Sequence, residues 1–194
     1  MIETMTKTMN ETMKTILNRR SIRAYQPRQI SEPELEAILE AGKFAPSGMN
    51  TQPWHFSVIQ NQVLLTKINN WVKEGLIKSG PPMMAEQAKK EGFSVFYHTP
   101  TLIVVSGDPK DILPQIDCAL AMENMFLAAA SLGIGSCWIN ALGMTIKSDT
   151  NQALLKEIGV PEGYQIYSSG AFGYETGEAP AAAPRKEGTV NIVR

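Results

Sequence analysis

Apolar positions in the first third of the chain fall at helical spacing. Ser31-Glu32-Pro33-Glu34 predicts a helix start, with Ser31 as N-cap and Glu34 closing a capping box. Pro33 is tolerated there because first-turn N–H groups have no helical partner. Leu35, Ile38 and Leu39 form one apolar face, and Gly42 lies near the end. Residues 45–53 read as a loop and 54–60 as a strand. The stretch 61–98 is less regular: one helix around 64–77, a Gly80-Pro81-Pro82 break, then a second, weaker helix. The β-branched run 101–106 (TLIVVS) predicts a buried strand. Residues 116–132 predict a long helix that is apolar nearly all round, from Ala119, Leu120 and Met122 to Phe126, Leu127 and Ala128-Ala129-Ala130. Such a helix lies in a core or a subunit interface. Gly133 is its stop signal. Residues 135–141 then read as a strand, Leu154, Leu155 and Ile158 as a short helix closed by Gly159 and Pro161, and 164–172 as a further strand.

The end of the chain changes character. Residues 177–184 are rich in Ala and Pro, and 189–193 turn β-prone again. A strand after such an arm either swaps to a partner subunit or returns to the edge of its own sheet. No repeat or long linker divides residues 1–194, so a single domain is expected, and 194 residues suffice for one sizeable core.

Composition narrows the classes. With 43% hydrophobic and 19% charged residues the chain reads as globular. No apolar run approaches the roughly 18 residues of a membrane helix. The polar start at residues 1–7 lacks an apolar secretory core, so the cytoplasm is the expected compartment. Cys118 and Cys137 make no disulfide framework; buried, reduced thiols are expected, a single bridge being the alternative. With only His55 and His98 besides, no metal-ligand spacing arises. A net charge of −1 gives no bulk argument for nucleic acid or an anionic membrane, and neither is expected as a partner.

Four clusters could carry chemistry. Arg19-Arg20-Ser21-Ile22-Arg23 offers forked donors and a hydroxyl that suit a phosphate; in extended backbone Arg19, Ser21 and Arg23 share one side. Alone, it reads first as a solvated basic helix end. Pro46-Ser47-Gly48-Met49-Asn50-Thr51-Gln52-Pro53-Trp54 is either an ordered helix–strand turn or a loop able to read the polar edge of a planar heterocycle. Gly133-Ile134-Gly135-Ser136-Cys137-Trp138-Ile139 has glycines like a dinucleotide fingerprint. It lacks the third glycine and runs from helix to strand, the reverse order, which excludes a Rossmann reading. Pro184-Arg185-Lys186 is a solvated pair or the last part of an anion site.

In this order and combination the four clusters resemble the FMN-dependent nitroreductase family, over roughly residues 16–194. The resemblance implies an α+β fold: a three-layer α/β/α sandwich around a mainly antiparallel sheet, with the carboxyl-terminal arm swapped to the partner of a homodimer. It implies that Arg19 and Ser21 hold the FMN phosphate, with Arg20 lending contacts and Arg185 and Lys186 closing on it. Arg23 would lie near the flavin's pyrimidine edge and tune it. Pro46, Ser47, Gly48, Asn50 and Gln52 would reach the partner's flavin. Backbone of Cys137, Trp138 and Ile139 would lie beside the reactive ring nitrogen. No Ser-His-Asp set, Walker A loop or metal site competes, as suits a protein whose cofactor carries the chemistry. The implied activity is two-step electron transfer from NAD(P)H through FMN to a nitroaromatic, a quinone or a similar acceptor. Reductive dehalogenation, flavin fragmentation and a non-enzymatic FMN-binding module are the alternatives. Trp71, Phe93, Phe96 and Tyr97 either line an acceptor pocket or pack in the core.

Overall fold

The computed structural model describes residues 9–147 and 149–194. The polar start read at residues 1–7 lies outside them. Four strands form one sheet: β1 (Trp54–Ile59), β2 (Thr101–Gly107), β3 (Gly135–Trp138) and β4 (Gln165–Gly173). Their order is β1-β2-β4-β3, antiparallel throughout.

Helices cover both faces. On one side lie α2 (Glu32–Lys43) and α5 (Pro114–Ser131); α1 (Glu11–Asn18) touches α5. On the other lie α3 (Gln62–Ser79) with the short helices α4 (Pro82–Ala88), α6 (Ala141–Thr145) and α7 (Gln152–Glu157). Strand β2 is buried along its whole length, and its side chains alternate between the two layers. Leu102 and Val104 join Ile68, Val72, Leu142 and Ile158; Ile103 and Val105 join Ile38, Met122, Met125 and Phe172. The result is the expected α/β/α sandwich.

Local signals act as the sequence predicts. Ser31 donates its backbone N–H to the Glu34 carboxylate at 2.8 Å and opens α2. Gly133, at φ +73°, ends α5 in the left-handed conformation that costs a glycine little.

Three features differ from the sequence reading. The strand read at 135–141 ends at Trp138; after one more ladder bond, from Ile139 N–H to Ser169 O, the chain turns into α6. No strand forms at 189–193, where Val190, Ile192 and Val193 are exposed: a strand needs a neighbour, and this segment pairs with none among the described residues. Helix α1 was not anticipated, although Met13, Ile16 and Leu17 stand at the i, i+3, i+4 spacing that marks one.

Candidate functional site

Strand β3 organises the site. Only one of its edges is taken by β4. Ile139 N–H reaches Ser169 O, so the two-residue alternation turns the N–H and C=O groups of Ser136 and Trp138 to the open edge. The segment after α1 lies along that edge. Ser21 forms a parallel bridge with Ser136, and Ile22 N–H donates to Ser136 O at 2.9 Å. Gly135 permits this closeness: a Cβ there would sit 2.9 Å from Ile22. Parallel register then carries Arg23 level with Trp138.

This geometry sorts the arginines. Ile22 is buried and turned inward, so Arg19, Ser21 and Arg23 share the outer side, as the extended reading requires. Arg20 does not join them. Its Nη1 donates to Leu17 O at 2.7 Å and to Arg19 O at 2.8 Å, closing the carbonyl end of α1. Arg19 is free apart from a loose 3.9 Å approach to Glu123 and a stacking contact over Phe126. Arg19, Arg20, Gly135 and Ser136 line a cavity of about 410 Å³. Glu11 and Glu175 also border it, Glu11 being paired with Lys14 at 2.6 Å. The Ser136 hydroxyl is buried with no hydrogen-bond partner among the described residues.

A second cavity, about 540 Å³, opens past the other end of β3, where Trp138, Ile139 and Asn140 meet Phe93 and Tyr97. Arg23 connects the two ends. Its guanidinium stacks on Tyr97, 5.8 Å from the ring centre, and the Tyr97 hydroxyl beside it raises its pKa further. Tyr97 and His98 hold φ +58° and +55°, a strained backbone for non-glycine residues. Tyr25 supports the segment from behind, donating its hydroxyl to Ile22 O at 2.7 Å. Of the aromatics considered for an acceptor pocket, Phe93 and Tyr97 line this cavity. Phe96 is core, 4% exposed, and Trp71 lies on the outer surface of α3.

Of the backbone expected to meet a ligand, Trp138 is available, Ile139 N–H is committed to Ser169, and Cys137 faces β4. The Cys137 thiol is buried, which raises its pKa, with Arg23 opposing.

The loop from Pro46 to Gln52 is elsewhere. Gly48–Asn50 form a 3-10 turn anchored by Asp117, whose buried carboxylate accepts from Gly48 N–H at 3.2 Å. Met49, Asn50 and Gln52 all take positive φ, while Gln52 N–H donates to Ser47 Oγ and Gln52 Nε2 to Asn50 Oδ1, both at 3.0 Å. Asp117 is in the first turn of α5, whereas Gly133 and β3 follow its far end. The 18 residues of α5 span about 27 Å. One copy therefore does not bring Ser47, Asn50 and Gln52 to Arg19 and Ser21. Nor does it bring Arg185 and Lys186 there: both are exposed, and Arg185 reaches only Ala183 O at 3.3 Å.

Residues 16–174 match the family model described as the nitroreductase family. The chain belongs to the nitroreductase family. A solved nitroreductase with bound FMN from Bacteroides fragilis is 45% identical, superposes with a TM-score of 0.89 and covers 96% of this chain and 100% of its own. Another with bound FMN, from Desulfitobacterium hafniense, is 32% identical with a TM-score of 0.86, covering 95% and 100%. A relative from Archaeoglobus fulgidus bearing an NADH dehydrogenase/NAD(P)H nitroreductase name is 36% identical over 88% of each chain.

Sequence reasoning missed several residues of this nitroreductase site. Ser136 lay inside a noted motif, but its orphaned hydroxyl is a property of the fold. Asp117 stands in the first turn of α5, where an acid is ordinary, and nothing in the sequence marks it as a loop anchor. Met83, Met84 and Gln87, which line the second cavity, sit in the stretch without motifs.

Proposed function

We propose that this nitroreductase is an FMN-dependent oxidoreductase, carrying electrons from NAD(P)H to a nitroaromatic, a quinone or a similar acceptor. The observation that carries the reading is the edge of β3 away from β4, with a basic cavity and an orphaned serine hydroxyl at one end and an apolar cavity walled by aromatic rings at the other. That is complementary to a ligand with an anionic end and a flat end. The residues fit FMN. Arg19 and Ser21, with the Ser136 hydroxyl, would hold the phosphate; Arg185 and Lys186 would close on it from the arm. The free N–H of Trp138 would meet the ring system, and Arg23 its pyrimidine edge.

FMN, when bound, supplies the two-electron chemistry that links a nicotinamide to an acceptor. In the balance, NAD(P)H gives a hydride and solvent a proton, reducing a quinone to its hydroquinone. The protein's part is electrostatic and steric. Arg23 favours negative charge at the pyrimidine edge, and Tyr97 holds that guanidinium in place. Arg23→Ala is expected to lower the flavin reduction potential more than it weakens FMN binding. The decisive test is anaerobic addition of NADH and of NADPH to the purified, flavin-loaded protein. The yellow absorbance should bleach with at least one of them and return with a quinone; no bleaching with either would leave a flavin-binding module.

A homodimer completes the site in this reading. The loop bearing Ser47, Asn50 and Gln52 would reach the partner's flavin, because its own lies at the other end of α5. Ile112, Leu113, Ile116 and Leu120 leave an apolar face exposed beside the loop, and α1 exposes Met13, Ile16 and Leu17. The arm supports a swap: residues 189–193 lack a partner strand, while β1 has a free edge next to a groove lined by Pro33, Leu39, Trp54 and Phe56. Deletion of residues 177–194 should turn the dimer into a monomer in sedimentation at micromolar concentration. The cytoplasm is the proposed compartment, supported by two buried, unbridged thiols. Among the described residues no helix is long and apolar enough to cross a membrane.

A further inference from the structure

The stretch between α3 and β2 carries no motif of the family, yet it builds most of the second cavity. Met83, Met84 and Gln87 come from α4, and Phe93 and Tyr97 from the segment after it; Trp138 supplies the opposite wall. The lining contains no carboxylate, ammonium, guanidinium or imidazole. Its polar side chains are amides, one serine, the Tyr97 phenol and the Trp138 indole N–H, all uncharged. Arg23, stacked on the Tyr97 ring, is not part of the lining, nor are Lys89 and Lys90 of the same segment. The loop from Pro46 to Pro53, which the dimer would bring to a partner's flavin, is also uncharged. Thioether sulfur and aromatic rings favour a flat apolar guest. A carboxylate or sulfonate placed there would lose water and gain no counter-charge.

We infer that residues 82–97 are the specificity element of this enzyme, and that they select neutral planar aromatic acceptors against acceptors carrying an anionic group. The inference rests on the reading of the site as an FMN oxidoreductase and goes further, by fixing the charge of the acceptor. Gln87 is exposed on α4 at the cavity wall, so it is where one new charge would change the choice with least disturbance.

The test titrates the FMN-loaded protein with matched pairs, nitrobenzene against 4-nitrobenzoate and menadione against its sulfonate. Binding is read from perturbation of the flavin absorbance, with no turnover. The neutral member should bind on the order of a hundredfold more tightly, the scale of an unpaired buried charge. Gln87→Lys should narrow that gap at least tenfold by strengthening the anion's binding. Equal affinity within a pair, absence of binding by either member, or an unchanged ratio in Gln87→Lys would overturn the inference. If the protein takes up no FMN, the functional reading fails, and the pocket is then judged by tryptophan fluorescence: selective quenching by the neutral member, lost in Trp138→Phe, supports the inference, and unselective or absent quenching overturns it.

Discussion

The two ends of helix α5 carry the two most informative motifs of the chain, and the fold treats them differently. At the carbonyl end, Arg19–Arg23 is tied to β3 by a parallel bridge, a 2.9 Å hydrogen bond and the missing Cβ of Gly135. Arg19 lines a cavity of the same chain. At the amino end, the loop from Pro46 to Gln52 is just as firmly built, on Asp117 and three left-handed residues, but it presents Met49, Asn50 and Gln52 outward. Local order is therefore no guide to whether a motif is complete. In the proposed reading the first motif is a half-site with its pocket, and the second is the half that meets a partner's pocket.

Within the first end, neighbouring arginines should separate sharply. Arg19→Ala removes a charge-assisted contact to phosphate and should weaken FMN binding by roughly ten- to hundredfold, an effect on the order of 1.5–3 kcal/mol. Arg20→Ala, whose side chain is bound to Leu17 O and Arg19 O, should shift the unfolding midpoint slightly and leave FMN affinity within a few-fold of the parent. Equilibrium titration of FMN into both variants checks the contrast; equal losses would mean that Arg20 turns to the ligand.

At the second end, Asp117→Ala strands the Gly48 N–H. A loss of about 1–3 kcal/mol in chemical unfolding is expected, the range for a buried donor left unpaired. FMN affinity should fall severalfold although no phosphate contact is touched, and restoration by Asp117→Asn would place the effect in the loop anchor rather than in the charge.

The smallest effect concerns the thiols, one near each end. Burial pushes Cys118 up to about 12, with the Asp117 charge adding to it. Cys137 is also raised by burial, but Arg23 and the Ser21 hydroxyl pull it back. The thiolate reacts, so native alkylation should label Cys137 before Cys118, and Arg23→Ala should slow that labelling. Peptide mass mapping over time gives both rates.

Much of this could be read from the chain. The capping box, the run 101–106 and the apolar helix were legible because each is a short-range signal with one physical cause. Four motifs in order were enough for the family. What escaped depends on distant groups. Arg19 and Arg20 are equivalent in sequence and both border the cavity, and only the turn after α1 ties the guanidinium of Arg20 to Leu17 O and Arg19 O. Nothing in Met49-Asn50-Thr51-Gln52 announces three positive φ angles without a glycine. The residues 189–193 have the composition of a strand, but composition cannot supply the neighbouring strand they need. The cavity wall at Met83, Met84 and Gln87 arises from how α4 packs on α3, which no local pattern encodes.

The central claim is that one flavin site needs Arg19 of one copy and the Pro46–Gln52 loop of another. It is tested most directly with a heterodimer, isolated through two different tags, that pairs an Arg19→Ala chain with an Asn50→Ala/Gln52→Ala chain. If the halves come from different copies, one site carries both defects and the other carries none. Such heterodimers should then bind one FMN per dimer with the parent's affinity, although each variant homodimer binds weakly. If both halves belong to one copy, every site is damaged. Two weak sites with no parental-affinity binding would contradict the account.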